Sequence, residues 1–432
     1  MQANTTNRML RDVRRGSPDT RVRRRVSFRL LAILALILLK PSAQRCAAQD
    51  AAQDAADPAA AVQGLLAEAI EAGQMAGAVV MVSRRHEVLF STAVGDAQSL
   101  PHRRPMRLDT VFDLASLTKP IATATSIACL VDAGKVDFDR PVADYWPAFA
   151  AEGKAGITIA DLLLHRGGLI ADNALSDYNN GDAATWNRIA ALKPVAPRGA
   201  RFIYSDVGFL VLGKVVAEVS GQSLDQYASE HIFAPLQMTE TGFLPTAACQ
   251  SRAAATEQRN GEWLVGTVHD PRAARLGGVA GHAGLFSTAT DLIRFGEALL
   301  QDDGKLFKAA TRDVLLQPRQ VPRGQRAYGW DIRSPYSSNR PSSFSEHAFG
   351  HGGFTGTVLW IDPDQQTVFV FLSNRLHPDG TGSVNRLAAQ IADTLLPSAK
   401  RGRGSFKKPP VLKTPTSDRC SGRSGRFVGL RR

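Results

Sequence analysis

The sequence predicts an α+β domain over residues 59–398. One antiparallel sheet is assembled from both ends of the domain, packed by terminal helices, with a mostly helical region inserted between them. Three observations predict it. β-rich runs with hairpin spacing occur near residues 78–94 and again near 357–372. Helical periodicity flanks both. Residues 140–345 break into helical segments and loops punctuated by Pro and Gly.

Ahead of the domain, residues 1–48 read as an export signal. Arg21, Arg23, Arg24, Arg25 and Arg29 form a basic stretch, residues 30–39 are uninterruptedly apolar, and small residues follow at Ala43, Cys46, Ala47 and Ala48. Ten apolar residues fall short of the ~20 that a membrane-crossing helix needs, so a cleaved signal and a periplasmic or extracellular destination are expected. Residues 49–58 are Ala-, Gln- and Asp-rich and read as a linker.

Residues 59–72 carry helical spacing. Residues 78–82 and 88–94 are strands joined by a turn at 83–87, a hairpin. Residues 117–133 repeat apolar side chains at helical spacing, and Gly134 closes that helix. Residues 210–219 and 290–300 are the clearest helices of the inserted region. Residues 357–361 and 368–372 are a late strand pair around a turn cluster at 362–366, and residues 383–396 form a last amphipathic helix. Short hairpin connections make the sheet antiparallel.

The net charge of +12 suggests a nucleic-acid or membrane binder, but its distribution argues otherwise. Residues 1–40 carry ten Lys/Arg against two Asp, and residues 399–432 eleven against one, which leaves the stretch between them at −6. The 399–432 tail has too few apolar residues for a core and reads as solvated and disordered. No nucleic-acid partner is expected, and no membrane partner beyond export. The four cysteines, Cys46, Cys129, Cys249 and Cys420, are widely spaced and form neither a disulfide framework nor a zinc pattern. Cys129 reads as a small core residue. His347 and His351 have ligand-like spacing but lack the acidic partner of a zinc site, so neither a metal nor another cofactor is expected.

Three segments can carry chemistry. In Ser116-Leu117-Thr118-Lys119, the two side chains lie one turn apart at a helix start, where the positive end of the helix dipole favours an alkoxide and disfavours an ammonium. That pattern points to a nucleophilic serine and a lysine able to give up its proton. The same spacing in Ser405-Phe406-Lys407-Lys408 lies in the basic tail and lacks this context. In Tyr204-Ser205-Asp206, a loop tyrosine near a cation can serve as a general base, whereas Asp206 could also cap the helix that follows. In His351-Gly352-Gly353-Phe354, glycines at a strand edge allow a substrate to approach, and the Phe354 N–H could join that of Ser116 as an oxyanion hole. His165 and His282 read as turn-stabilising residues, and His269-Asp270-Pro271 as a turn beside the cleft.

Taken in order, Ser116-x-x-Lys119, Tyr204-Ser205-Asp206 and His351-Gly352-Gly353 resemble the three motifs of serine β-lactamases and penicillin-binding proteins, with spacing similar to the class C β-lactamase group and its D,D-peptidases and esterases. Residues 161–169, 235–241 and 281–288 agree, and the likeness spans about 60–396. The resemblance implies a β-lactamase/transpeptidase-like fold. It implies Ser116, Lys119 and Tyr204 as catalytic residues, and Asp206, His351, Gly352, Gly353 and Phe354 at the substrate. Two departures stand out. Asp206 replaces the Asn of class C enzymes and would repel a substrate carboxylate. His351 replaces the Lys of the third motif and supplies a cation only if protonated.

Together these observations imply an exported serine hydrolase acting through an acyl-enzyme on an ester or amide, with small esters, amides or peptidoglycan-type peptides as substrates. The alternatives are a penicillin-binding sensor or catalytically silent relative, and a surface-binding protein using the basic tail.

Overall fold

In the computed structural model, residues 57–301, 304–380 and 382–397 are described. The export segment 1–48, nearly all of the linker 49–58 and the tail 399–432 lie outside them. The described chain opens with the helix Pro58–Glu71, followed by β1 (Gly77–Arg84) and β2 (Glu87–Gln98). Arg85 and His86 turn the chain between these strands at φ 50° and 65°. Two-residue hairpins need this left-handed pair to match the strand twist. Next come β3 (Arg104–Pro105) and β4 (Phe112–Asp113), then in the middle of the chain β5 (Gly242–Phe243), β6 (Ala255–Arg259), β7 (Glu262–Val265) and β8 (Leu285–Ser287). The last strands are β9 (Arg319–Val321), β10 (Gly324–Arg326), β11 (Asp331–Arg333), β12 (Phe349–Gly353), β13 (Thr357–Asp362) and β14 (Thr367–Ser373), and the helix Asn385–Leu395 closes the domain.

Nine strands form one sheet in the order β3-β2-β1-β14-β13-β12-β11-β10-β9. The two chain ends meet where β1 and β14 pair antiparallel, with Val79 opposite Leu372. Both faces of the sheet centre are covered, so Ala78–Val82 of β1 and Val368–Leu372 of β14 are apolar throughout rather than alternating with polar residues. Val80, Val82, Trp360, Phe369 and Phe371 pack with Val62, Leu66, Ile391 and Leu395 of the two terminal helices. Val79, Met81, Leu359, Ile361, Val370 and Leu372 point to the other face, into the core of the inserted region with Leu292 and Phe295. This is the β-lactamase/transpeptidase-like arrangement of the expected fold class.

The structure corrects two expectations. The stretch 117–133 is not one regular helix. A tight turn over Ala115–Leu117 leads into a wide, π-type turn over Lys119–Ala124, and regular helix begins only at Thr125–Asp132. Pro120 at the start of the wide turn has no N–H to donate. The late sheet is also larger than the strand pair at 357–372. β9, β10 and β11 are three-residue strands with no hydrophobic period to announce them. β12 is a strand despite Phe-Gly-His-Gly-Gly, because its glycines fit a crowded place: a Cβ on Gly350 would stand 2.3 Å from the Trp360 ring.

Candidate active site

Ser116 sits in the tight turn leaving β4. Ala115 before it has φ +46°, a strained conformation for an L-residue. The strain is held by Asp113, whose Oδ1 accepts from the Ala115 N–H at 2.8 Å and whose Oδ2 accepts from the His269 N–H at 2.7 Å. One turn on, Lys119 is completely buried. Its Nζ donates to Ser116 Oγ at 2.9 Å and to the His282 carbonyl at 3.2 Å, and forms an ion pair with Asp206 Oδ1 at 2.7 Å. It also lies 4.9 Å from the centre of the Tyr204 ring.

Tyr204 is fixed by its neighbours. His165 stacks on it with centroids 4.4 Å apart, and Tyr336 covers it at 4.8 Å. His165 also accepts the Ser205 N–H on Nδ1 at 3.0 Å, which holds the loop itself. Ser205, not Asp206, caps the helix Asp206–Ser220, its Oγ accepting from the Gly208 N–H at 3.0 Å. Asp206 is thereby the first helical residue, turned toward Lys119.

That contact revises the expectation for Lys119. Burial pushes its pKa down, but the Asp206 carboxylate and then Tyr204 more than offset this and raise it above the ordinary lysine value. Lys119 is held as an ammonium, and the helix-end argument for a readily lost proton is outweighed by a charge at 2.7 Å. Asp206 is correspondingly held ionised, burial being outweighed by Lys119. Its negative charge is spent on Lys119, so the expected repulsion of a substrate carboxylate is largely cancelled.

The third segment joins the other two. Thr355 Oγ1 donates to the Asp113 carbonyl at 2.7 Å and Thr357 Oγ1 to the Leu114 carbonyl at 3.1 Å, stapling the end of β12 and the start of β13 to the strand before Ser116. Gly353 lies so close that a Cβ would stand 2.3 Å from the Leu114 carbonyl oxygen. Ser116, Tyr204, His351, Gly352, Gly353 and Phe354 line one cleft of about 330 Å³. His351, which could supply a cation only when protonated, is neutral here. Burial, then Arg326 and Lys119, push its pKa well below the ordinary histidine value. Its Nδ1 lies 2.8 Å from the Gly352 carbonyl, which places the ring proton there and leaves Nε2 an acceptor.

Sequence reasoning missed several contributors. His165 and His282 do more than stabilise turns: the first braces Tyr204, and the second offers its carbonyl to Lys119 while its Nε2 meets Asp270 Oδ1 at 2.9 Å. Asp270 caps the helix Pro271–Arg275. His269 stacks on Phe354 at 5.5 Å. Arg326, Asp331 and Tyr336 line the cleft from β10, β11 and the loop beyond. They carried no motif; only their position beside a strand edge brings them in. His347 pairs with Asp364 at 2.9 Å, and no group of three His, Cys, Asp or Glu able to hold a metal occurs among the described residues.

A sheet from both chain ends, with a Ser-x-x-Lys turn, a loop tyrosine and a glycine-rich strand converging on one cleft, defines a serine hydrolase of the β-lactamase and penicillin-binding-protein type. The chain belongs to the Beta-lactamase family, whose model matches residues 62–393. It is 32% identical over 341 residues to a provisionally named D-alanyl-D-alanine carboxypeptidase of Escherichia coli (strain K12), covering 69% of this chain and 78% of that protein. It is 31% identical over 349 residues to an N-acetylmuramyl-L-alanine amidase of Bacillus subtilis (strain 168), covering 70% and 77%. Its fold matches that of EstCE1, a hydrolase with promiscuous acyltransferase activity, with a TM-score of 0.66 at 23% identity over 78% of this chain and 98% of the other.

Proposed function

We propose that this chain is an exported serine acyl hydrolase that cleaves esters or amides, among them peptidoglycan-type peptides, through an acyl-enzyme on Ser116. The observation that carries this reading is Ser116 Oγ at 2.9 Å from a buried, charged Lys119 beside Tyr204, on the wall of an open cleft. Ser116 Oγ attacks the substrate carbonyl. With Lys119 already protonated, Tyr204 is the group left to relay the serine proton, its phenolic oxygen taking that proton as its own passes to the leaving group and the C–O or C–N bond breaks. Lys119 stabilises negative charge on Ser116 Oγ and on Tyr204 throughout. The Ser116 and Phe354 N–H groups receive the oxyanion. Water then attacks the acyl-enzyme, giving its proton to Tyr204, which returns one to Ser116 as the ester opens. Support for the substrate class comes from the carboxypeptidase and amidase relatives, and support for export from the apolar run at 30–39 with its basic flank.

Intact-mass measurement after a fluorophosphonate probe tests the reading. One probe adds to the wild type and none to Ser116→Ala, and ester turnover falls about ten-thousandfold in the variant. A wild type that takes no probe sinks the hydrolase reading. A stoichiometric burst with no steady rate would instead make the chain a penicillin-binding sensor.

A further inference from the structure

The loop over residues 281–285 lies against the turn that carries Ser116 and Lys119, and both of its ends are tied there. Thr123 Oγ1 donates to the Gly281 carbonyl at 2.7 Å, and the Leu285 N–H donates to Thr118 Oγ1 at 3.1 Å. Gly281 is also pressed onto the helix Asp206–Ser220, since a Cβ on it would stand 2.0 Å from the Phe209 carbonyl oxygen. Between these ties comes the His282 carbonyl, which accepts from Lys119 Nζ. A carbonyl turns with its residue, and residue 282 is oriented by its ring. That ring is buried, its Nε2 meets Asp270 Oδ1 at 2.9 Å, and its Nδ1 has no hydrogen-bond partner. Asp270 is therefore the ring's anchor.

Asp270 is held independently of His282. Its Oδ1 also accepts from the Arg272 and Ala273 N–H groups, at 2.9 and 2.7 Å, as the cap of the helix Pro271–Arg275. Burial favours the neutral carboxyl, but the His282 bond and these helix N–H groups outweigh it and hold the Asp270 pKa well below the ordinary carboxylate range. An ionised carboxylate only accepts, so the proton of the bond belongs to His282 Nε2. One residue earlier, the His269 N–H donates to Asp113 Oδ2, the carboxylate that holds the strained Ala115. Residues 269 and 270 thus grip both halves of the catalytic turn. The first steadies the segment before Ser116, and the second reaches through His282 to the lysine after it. Asp270 stands apart from the residues that line the cleft, so it acts on the site through others.

We infer that Asp270 is a positioning residue for acyl transfer: through the His282 ring it sets the carbonyl that aims the Lys119 ammonium at Ser116 Oγ. This rests on the acyl-enzyme reading above. Small displacements of a group that stabilises developing charge are costly, which is why a second carboxylate stands behind the first, Asp206 fixing the charge of Lys119 and Asp270 its direction.

The test cuts the Asp270–His282 contact from each side. Asp270→Ser keeps a helix cap, because serine caps about as well as aspartate, but its shorter side chain no longer reaches His282. His282→Phe removes the ring N–H and keeps the backbone carbonyl. Fluorophosphonate labelling rates and ester kcat are read per Ser116 that takes the probe, so a misfolded fraction does not count. Each variant is expected to lose about tenfold in labelling rate and in kcat with KM little changed, the scale of one hydrogen bond to a charged group. The double variant is expected to be no slower than the slower single one, because Asp270 acts through His282. His282→Gln, which restores a side-chain N–H, recovers most of the rate lost in His282→Phe. Should His282→Phe fail to fold, Asp270→Ser alone and combined with His282→Gln gives the same comparison. Wild-type rates in folded Asp270→Ser, or losses that multiply in the double variant, overturn the inference. Wild-type labelling separates the two levels: a labelled Ser116 with indifferent variants removes only the role of Asp270, while an unlabelled Ser116 removes the hydrolase reading and this inference with it.

Discussion

Four groups meet the three protons of Lys119: Ser116 Oγ, the His282 carbonyl, the Asp206 carboxylate and the Tyr204 side chain. A fully buried ammonium survives only when so matched, and Asp206 is the partner that sets its charge. Because its folded pKa is raised, the stabilisation from this pair is complete below the ordinary lysine range and is lost only as pH rises through the higher, folded value. Asp206→Asn removes the opposing charge and leaves burial dominant, so the Lys119 pKa falls below its ordinary value. The alkaline limb of the kcat/KM profile should then move to lower pH, with stability reduced by about 3 kcal/mol near neutrality. A profile that gains activity on the alkaline side would mean that neutral Lys119 is the base, and would return to it the role here given to Tyr204. The motif spacing put Ser116, Lys119 and Tyr204 within reach of a reader of the sequence. It could not show that Asp206 faces Lys119 rather than substrate, because adjacency across 87 positions is a property of the fold.

At the level of elements, β12 shows why part of the sheet was illegible. Strand propensity reflects side chains that fit a pleated surface, and Phe-Gly-His-Gly-Gly offers few. The strand exists because its neighbours require absent side chains: Gly350 lies under Trp360, and Gly353 lies against Leu114 and Thr357. The runs that were legible are the ones rich in apolar residues: 78–82, 357–361 and 368–372 are buried on both faces of the sheet centre, and 88–94 packs partly against them. β9, β10 and β11 are three residues each and mostly polar, with only Val321 and Ile332 reaching the core, so Arg326 and Asp331 came with them unseen. The close approach at Gly353 has a kinetic consequence. In Gly353→Ala the new Cβ would meet Thr357 Oγ1 at 2.1 Å and the Leu114 carbonyl oxygen at 2.3 Å, so β12 must move off the segment carrying Ser116. Fluorophosphonate labelling is expected to slow about tenfold or more, with an unfolding cost of about 1–3 kcal/mol, the range for overpacked sites. Labelling at the wild-type rate would mean that the Phe354 N–H does not serve the oxyanion.

For the whole molecule, the decisive fact is that the sheet is closed by residues almost 300 positions apart, β1 against β14, and covered by the first and last described helices. The sequence announces this through its symmetry, a helix and hairpin at one end answered by a hairpin and helix at the other. The order in which helices of the inserted region pack against one another has no comparable signature. The architecture separates two cores by the sheet: one under the terminal helices, the other surrounding the catalytic turn. Ile391 belongs to the first and is fully buried, on the face of the sheet away from Lys119. Ile391→Ala should cost about 2–5 kcal/mol, the range for emptying such a site, read as a lower denaturant midpoint. Since β1 and β14 are shared by both cores, the loss should appear as one cooperative transition, with Ser116 labelled at an unchanged rate until unfolding begins. Two separated transitions, with labelling retained after the first, would instead show that the inserted region and its catalytic turn hold together without the terminal helices.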